Sequence, residues 1–348
     1  MGHRQSHPVV ASGRRVTDAS SGIELSYLDP AQIDSWLTRR DRHPLAAITF
    51  GTAPPAGLNC PVLSLDLPQL TDRPRIELWT TGDPVHAFRK DSFSAAMTED
   101  MAAGCMTVQE EPGVSLEHTT YEAYRRLVSE LQQFGYPHLW RAWNYFPAIN
   151  QDEEGLERYQ RFTVGRYQAF AEMLSGFPTA VPAGTAVGTA SGPLTILMLA
   201  GVHSAIHLGN PRQVNAYEYP PDYGPRSPSF ARATTCRMGD DRHLYVAGTA
   251  SVVGHATRHI GLPQEQTRET VENLTSLLRH ADDMTGAHFG AESRQSLFKV
   301  YVRHSSHLPI IRNTLARASL SMDHCLFLHG DLCRRDLLVE IEGFITSN

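Results

Sequence analysis

Two carboxylates and a thiol lie close together near the end of this chain, in the run Asp331-Leu332-Cys333-Arg334-Arg335-Asp336-Leu337-Leu338-Val339-Glu340-Ile341-Glu342-Gly343. From Val339 to Glu342 apolar and acidic residues alternate. A period of two predicts a half-buried β-strand, with Glu340 and Glu342 on one face and Val339 and Ile341 on the other. A carboxylate on a late strand of a compact domain is either solvated or held in a pocket for proton chemistry. Cys333, seven residues before Glu340, is placed to come near the same pocket. The competing reading is an acidic edge strand that faces water and resists edge-to-edge aggregation.

The elements that must position these groups show a repeat. Strand signals occur at Ile23 to Leu28, Leu45 to Gly51, Val62 to Leu67, Ile76 to Thr80 and Val85 to Arg89, with a short helix at Ala31 to Thr38 behind Pro30. Thr119 to Phe134 has Tyr121, Tyr124, Leu127, Leu131 and Phe134 at helical spacing, followed by a strand at Leu139 to Phe146. A second helix, Glu153 to Leu174, and a strand region, Thr185 to Leu199, come next. The order then recurs, with a helix at Thr267 to Met284, a strand at Leu297 to Val302, a helix at Ile310 to Leu320, and strands at Cys325 to Leu328 and Leu337 to Ile345. Helix, strand, helix, strand occurring twice predicts internal duplication, with mixed sheets packed against helices in an α+β arrangement. Residues 1–20 read as a mobile tail, 21–208 as an N-terminal half, and 209–348 as a C-terminal half carrying most of the site. Between the halves Pro211, Pro220, Pro221, Pro225 and Pro228 forbid a long helix. Arg212, Tyr217, Tyr219, Tyr223, Arg226 and Arg232 give this segment more chemistry than a plain linker needs.

The closing run resembles the last strand of the RidA/YjgF fold, where an Arg-Leu-Pro-Lys-Asp stretch precedes a similar Glu-Ile-Glu. A fuller resemblance is to the chorismatases, which split chorismate into pyruvate and a six-membered-ring acid on that fold. Three more blocks carry it: Trp140 to Asn150, then Asn210 to Tyr217 with Pro228 to Ala233, then Ala247 to His255. The resemblance implies two tandem RidA/YjgF-like units, Glu340 as the acid that protonates the enol ether, and Cys333 as the mark of the branch that makes 3-hydroxybenzoate, with some 4-hydroxybenzoate as a side product. A second tuning position falls at or beside Ala247-Gly248. Glu342, on the same face, is the alternative acid. The hydrolytic branch, which leaves a dihydroxy-cyclohexadiene acid, is the alternative reaction; a non-catalytic ligand-binding member of the fold is the alternative class. An imine deaminase of the RidA type would have an arginine fifteen residues before Glu340, and Cys325 stands there.

A substrate with two carboxylates calls for guanidinium groups, which bind carboxylate through two parallel hydrogen bonds and stay charged when desolvated. Arg212 and Arg232 are the candidates from the central blocks, with Arg158 and Arg166 behind them. Tyr217 offers a hydroxyl and a flat ring wall.

Composition narrows the rest. The 348 residues, 41% hydrophobic and 20% charged, suit a soluble globular chain. A formal charge of −6 with no basic stripe argues against a nucleic-acid partner. The five cysteines are scattered without a Cys-x-x-Cys pair, which points to a reducing cytoplasm rather than a disulfide framework. Neither a signal-peptide core nor an apolar run near the ~20 residues of a membrane span is visible. The 17 histidines lack His-Glu-x-x-His spacing, so no metal and no cofactor are expected. The expected partner is chorismate alone, in a monomer or homotrimer.

Overall fold

The computed structural model describes residues 22–290, 293–318 and 321–347. The N-terminal tail expected at residues 1–20 lies outside them.

Three mixed sheets surround one core. The first uses β1 (Ile23–Leu28), β2 (His43–Phe50), β3 (Val62–Leu65) and β4 (Ile76–Thr81), with the short helix α1 (Ile33–Leu37) after β1. Its order is β1-β4-β2-β3. The second is built from β5 (His86–Lys90), β6 (Phe93–Met97), β7 (Met101–Val108), α2 (Leu116–Gln133), β8 (His138–Pro147), the ribbon β9 (Asp152–Glu153) and β10 (Leu156–Glu157), α3 (Arg158–Met173), β11 (Ala183–Thr189) and β12 (Leu194–Gly201). The third has β13 (Ile206–Leu208), β14 (Ala233–Met238), β15 (Asp241–Ala250), the ribbon β16 (Val252–Val253) and β17 (Ala256–Thr257), α4 (Pro263–Thr285), β18 (Gln295–Val302), α5 (Leu308–Arg317), β19 (Cys325–His329) and β21 (Val339–Ser347). Between the last two, β20 (Asp331–Leu332) crosses over to pair with β11 of the second sheet.

Strand order exposes the repeat. The second sheet runs β5-β6-β7-β12-β8-β11 and the third β13-β14-β15-β21-β18-β19. In each, a three-strand meander is followed by helix, strand, helix, strand, and a last strand that inserts beside the third. The first sheet repeats the pattern without the opening hairpin and the second helix: β4 inserts between β1 and β2, and β2 runs parallel to β3 as β18 does to β19. The expected duplication is therefore accompanied by a third, shortened copy at residues 23–81.

Inner faces of all three sheets share one apolar core, which includes Leu25, Trp79, Trp143, Leu197, Tyr245 and Tyr301. Helices α2 and α3 cover the outside of the second sheet, and α4 and α5 that of the third. Helix α2 starts at Ser115, whose hydroxyl accepts the His118 N–H, and buries Leu116, Ala123, Tyr124, Leu127 and Leu131 on one stripe. Gly165 lets α3 lie against α2, since a Cβ there would be 2.1 Å from the Glu117 carbonyl.

Two expectations needed correction. The helix expected from Glu153 begins at Arg158, because Glu154 and Gly155, both at positive φ, turn residues 152–157 into the β9–β10 ribbon. The alternation at 339–342 is not half-buried: β21 lies between β15 and β18 and all four of these residues are buried. Val339 and Ile341 pack under the helices, while Glu340 and Glu342 face the space between the sheets, which excludes the acidic edge strand.

Candidate active site

Glu342 sits inside an ionic cluster at the junction of the three sheets. Its carboxylate accepts from Arg141 Nη2 at 2.6 Å, Trp143 Nε1 at 3.0 Å and Tyr301 Oη at 3.1 Å, and lies 2.7 Å from Lys299 Nζ. Lys299 also reaches Glu77 at 3.0 Å, which in turn accepts from Trp79 Nε1 at 2.7 Å. Burial opposes ionisation of Glu342, but Lys299 and Arg141 outweigh it and hold its carboxyl below the usual range. A carboxylate this firmly paired is a fixed charge, not a proton donor.

Glu340, two residues earlier, has a different setting. It is buried, forms no ion pair among the described residues, and faces a cavity of about 360 Å³. Burial, reinforced by the charge of Glu342, pushes its carboxyl up to about 8, so it carries a proton at neutral pH. The thiol of Cys333 lies 3.9 Å from Oε2, at the long end of a sulfur hydrogen bond, and burial, with Glu340 beside it, pushes that thiol up to about 12. Gly248, on the neighbouring strand, leaves the room this carboxyl occupies: a Cβ there would lie 2.2 Å from Oε1. The Gly248 N–H is held by Thr185 Oγ1 at 2.9 Å, where a bulge interrupts the β15–β21 register between Val246 and Thr249.

Walls of the cavity are aromatic and cationic. Tyr159, Tyr219, Tyr223 and Phe230 line it together with Arg232, Arg334 and Arg335. Arg334 stacks on Tyr223, its guanidinium carbon 4.2 Å from the ring centre. Arg232 is buried and gives Nη2 to Tyr219 Oη at 2.7 Å and to the Val214 carbonyl at 2.9 Å, while its Nε has no partner among the described residues. Arg166 is also buried, with Nε and Nη2 unpartnered among the described residues, but it lies behind the wall. Gly184 separates it from Phe230, since a Cβ there would be 2.8 Å from Phe230 Cβ and 3.7 Å from Arg166 Nη1. Among the described residues no group of three or more His, Cys, Asp or Glu could hold a metal ion, and no helix is long and apolar enough to cross a membrane.

Glu340, Cys333 and Arg232 thus come together, and Arg166 stands just behind them. Four other candidates fall elsewhere. Arg212 is taken up by Glu269 at 2.6 Å, Glu272 at 3.2 Å and Asn273 at 3.0 Å, which tie the proline-rich loop to α4 away from the cavity. Arg158 is held by Glu110 and Glu153 and fastens the β9–β10 ribbon. Tyr217 packs against the core of the second sheet, and its loop neighbours Tyr219 and Tyr223 line the cavity instead. Ala247 is wholly buried and donates its N–H to the Arg232 carbonyl; Gly248 is the member of that pair that meets the cavity. Tyr159, Arg334 and Arg335 were not singled out from sequence. Arg334 and Arg335 follow Cys333 directly, and that adjacency was the available signal.

Fold and site together define an α+β enzyme whose cavity can hold a small organic anion against a buried, protonated acid. Comparison with known proteins narrows the class. The family model for the N-terminal part of FkbO/Hyg5-like chorismatases matches residues 77–200. A 3-hydroxybenzoate synthase of Streptomyces hygroscopicus is 35% identical over 300 residues, covering 82% of this chain and 85% of the relative. A chorismatase of Streptomyces rapamycinicus is 32% identical over 295 residues, covering 82% and 86%. A crystal structure of a chorismatase matches with a TM-score of 0.84 at 29% identity, covering 94% of this chain and all of the other. The chain belongs to the chorismatase family.

Proposed function

We propose that the protein converts chorismate to pyruvate and 3-hydroxybenzoate, with Glu340 as general acid. The observation that carries this reading is the cavity-facing carboxyl of Glu340, held protonated by burial, with the Cys333 thiol 3.9 Å away. Glu340 gives its proton to the methylene carbon of the enol ether, which builds positive charge on the adjacent carbon. In the aromatising route the bond from ring carbon to ether oxygen then breaks, and that oxygen leaves as the ketone of pyruvate. The ring hydroxyl oxygen attacks the carbon that carried the ether as the pyruvate oxygen leaves, closing an epoxide, and its proton returns to Glu340. The epoxide's original C–O bond then opens, the oxygen takes up a proton, and the carbon that keeps it loses its C–H proton, which restores aromaticity. Pyruvate and 3-hydroxybenzoate together contain all the atoms of chorismate, so no water is consumed. In the hydrolytic route water instead adds to the cationic side-chain carbon, and the hemiketal collapses to pyruvate with the ring carbon–oxygen bond intact, so one water is consumed and the ring keeps both oxygens as the diol.

Arg232, which lines the cavity and whose Nε has no partner among the described residues, is the anchor for one carboxylate. Arg334 at the loop, and the buried Arg166 behind Phe230, supply the positive potential for the other, while Arg335 is paired with Glu157. The aromatic walls exclude water and sandwich the ring.

Incubation with chorismate followed by NMR tests the reading: an aromatic product with one equivalent of pyruvate supports it, while a diene diol assigns the hydrolytic branch instead. Cys333→Ala removes the thiol and opens space for a water beside Glu340, so the diol should grow at the expense of 3-hydroxybenzoate while pyruvate release continues. An unchanged product ratio would separate the thiol from the outcome. The acid must be protonated to act. With its carboxyl at about 8, kcat/KM should be level at lower pH and fall about tenfold per unit above about pH 8. A profile rising through that range would assign Glu340 the role of a base.

A further inference from the structure

The residues from Asp331 to Leu338 carry the Cys333 thiol to the cavity, and one side chain from outside the segment makes more hydrogen bonds to them than any other among the described residues. Arg303, at the end of β18, uses its whole guanidinium on them. Nε donates to the Leu337 carbonyl at 2.7 Å, and Nη1 to the Asp331 carboxylate at 2.7 Å and to Asn150 Oδ1 at 3.1 Å. Nη2 alone donates to the carbonyls of Leu332, at 3.1 Å, and Arg334, at 2.9 Å. These are the two residues on either side of Cys333, so a single nitrogen holds one carbonyl before the thiol-bearing residue and one after it. The Arg303 backbone N–H closes the far end on the Leu338 carbonyl at 3.1 Å.

Two amides complete the clamp. Asn150 Nδ2 donates to the Leu332 carbonyl at 3.0 Å, and Gln266 takes the Leu338 N–H at 2.8 Å and gives Nε2 to the Asp336 carbonyl at 2.7 Å. Carbonyls gathered round a rigid planar fork cannot rotate singly, and an ammonium cannot reproduce the fork.

We infer that Arg303 is a positioning residue that sets the product: by wrapping the 331–338 segment it holds the Cys333 thiol against Glu340 and keeps water out of that corner. This rests on the aromatising reading above. Arg303 lies behind the segment it holds and is absent from the cavity lining, so its effect passes through Cys333 and not through contact with substrate.

The test pairs a thiol measurement with a product measurement in the full-length protein. Cys60, Cys105, Cys236 and Cys325 are buried, and only Cys333 is partly accessible, so the alkylation rate at Cys333, read by peptide mass mapping with iodoacetamide, reports the clamp. In Arg303→Gln that rate should rise by about tenfold, kcat should fall by about tenfold through misplacement of the site, and KM should move less. The product should shift from 3-hydroxybenzoate toward the diene diol while pyruvate continues to form. Arg303→Lys should fall between wild type and Arg303→Gln in both readouts. Asn150→Ala, which keeps the guanidinium and removes one pin, gives a milder change of the same sign and serves if Arg303→Gln does not fold. Faster alkylation with an unchanged product ratio would overturn the inference, as would unchanged alkylation in all three variants. If the wild type releases no pyruvate from chorismate, the functional reading fails, and the alkylation rates alone then decide whether Arg303 holds the thiol.

Discussion

Glu340→Gln is expected to lower kcat by about 100-fold or more, the usual contribution of a positioned general acid. The amide keeps the shape of the carboxyl and can still fill the space left by Gly248, but it has no proton to give to a methylene carbon. Substrate binding should largely persist, because the guanidinium donors lie on the walls and Glu340 forms no ion pair with them. Steady-state release of pyruvate, followed through lactate dehydrogenase, checks the turnover, and calorimetry with the inactive variant checks binding. Near-full turnover would remove Glu340 from the mechanism. The matching change at Glu342 probes something else, since its charge is neutralised by Lys299 and Arg141 and its loss should be felt in the fold.

Lys299→Met should be the most damaging change to stability, by about 3–5 kcal/mol, the cost of removing one partner from a buried ion pair. Methionine fills similar volume, so the loss is mainly electrostatic: Glu77 and Glu342 are left facing each other with only Arg141 to offset them. Glu77 is already pushed up, first by burial and then by Glu342, and without Lys299 it would take up a proton. Urea unfolding of wild type and variant measures the difference, and a change below about 1 kcal/mol would mean that the cluster contributes little beyond its hydrogen bonds.

Much of this was legible in the residues, and the failures have definite causes. The period-two alternation placed Glu340 and Glu342 on one face, and they share one. Spacing could not tell them apart, because what separates them is the partner across the sheet: Lys299 and Arg141 for one, an open cavity for the other. Arginines were equally ambiguous. Arg212 and Arg158 look like anion ligands until Glu269 and Glu110, both far off in sequence, turn out to hold them. Arg303 gave no signal, standing nearly thirty residues before the loop that it clamps. The strand Met101–Val108 was missed because Ala102, Ala103 and Gly104 have little intrinsic preference for strands; burial between β6 and β12 makes it one.

The repeated strand order carries a lesson in divergence. Tyr301 and Tyr145 face Glu340 and Thr195 in the same way, so the second copy has Thr195 at that place. The place that holds an acid in the third sheet thus holds an alcohol in the second. Once copies are joined in one chain, selection for chemistry needs to act on one cleft only, and the other two are released to drift toward whatever keeps the sheets together. Kinship among the copies is thus plainer in the path of the backbone than in the side chains.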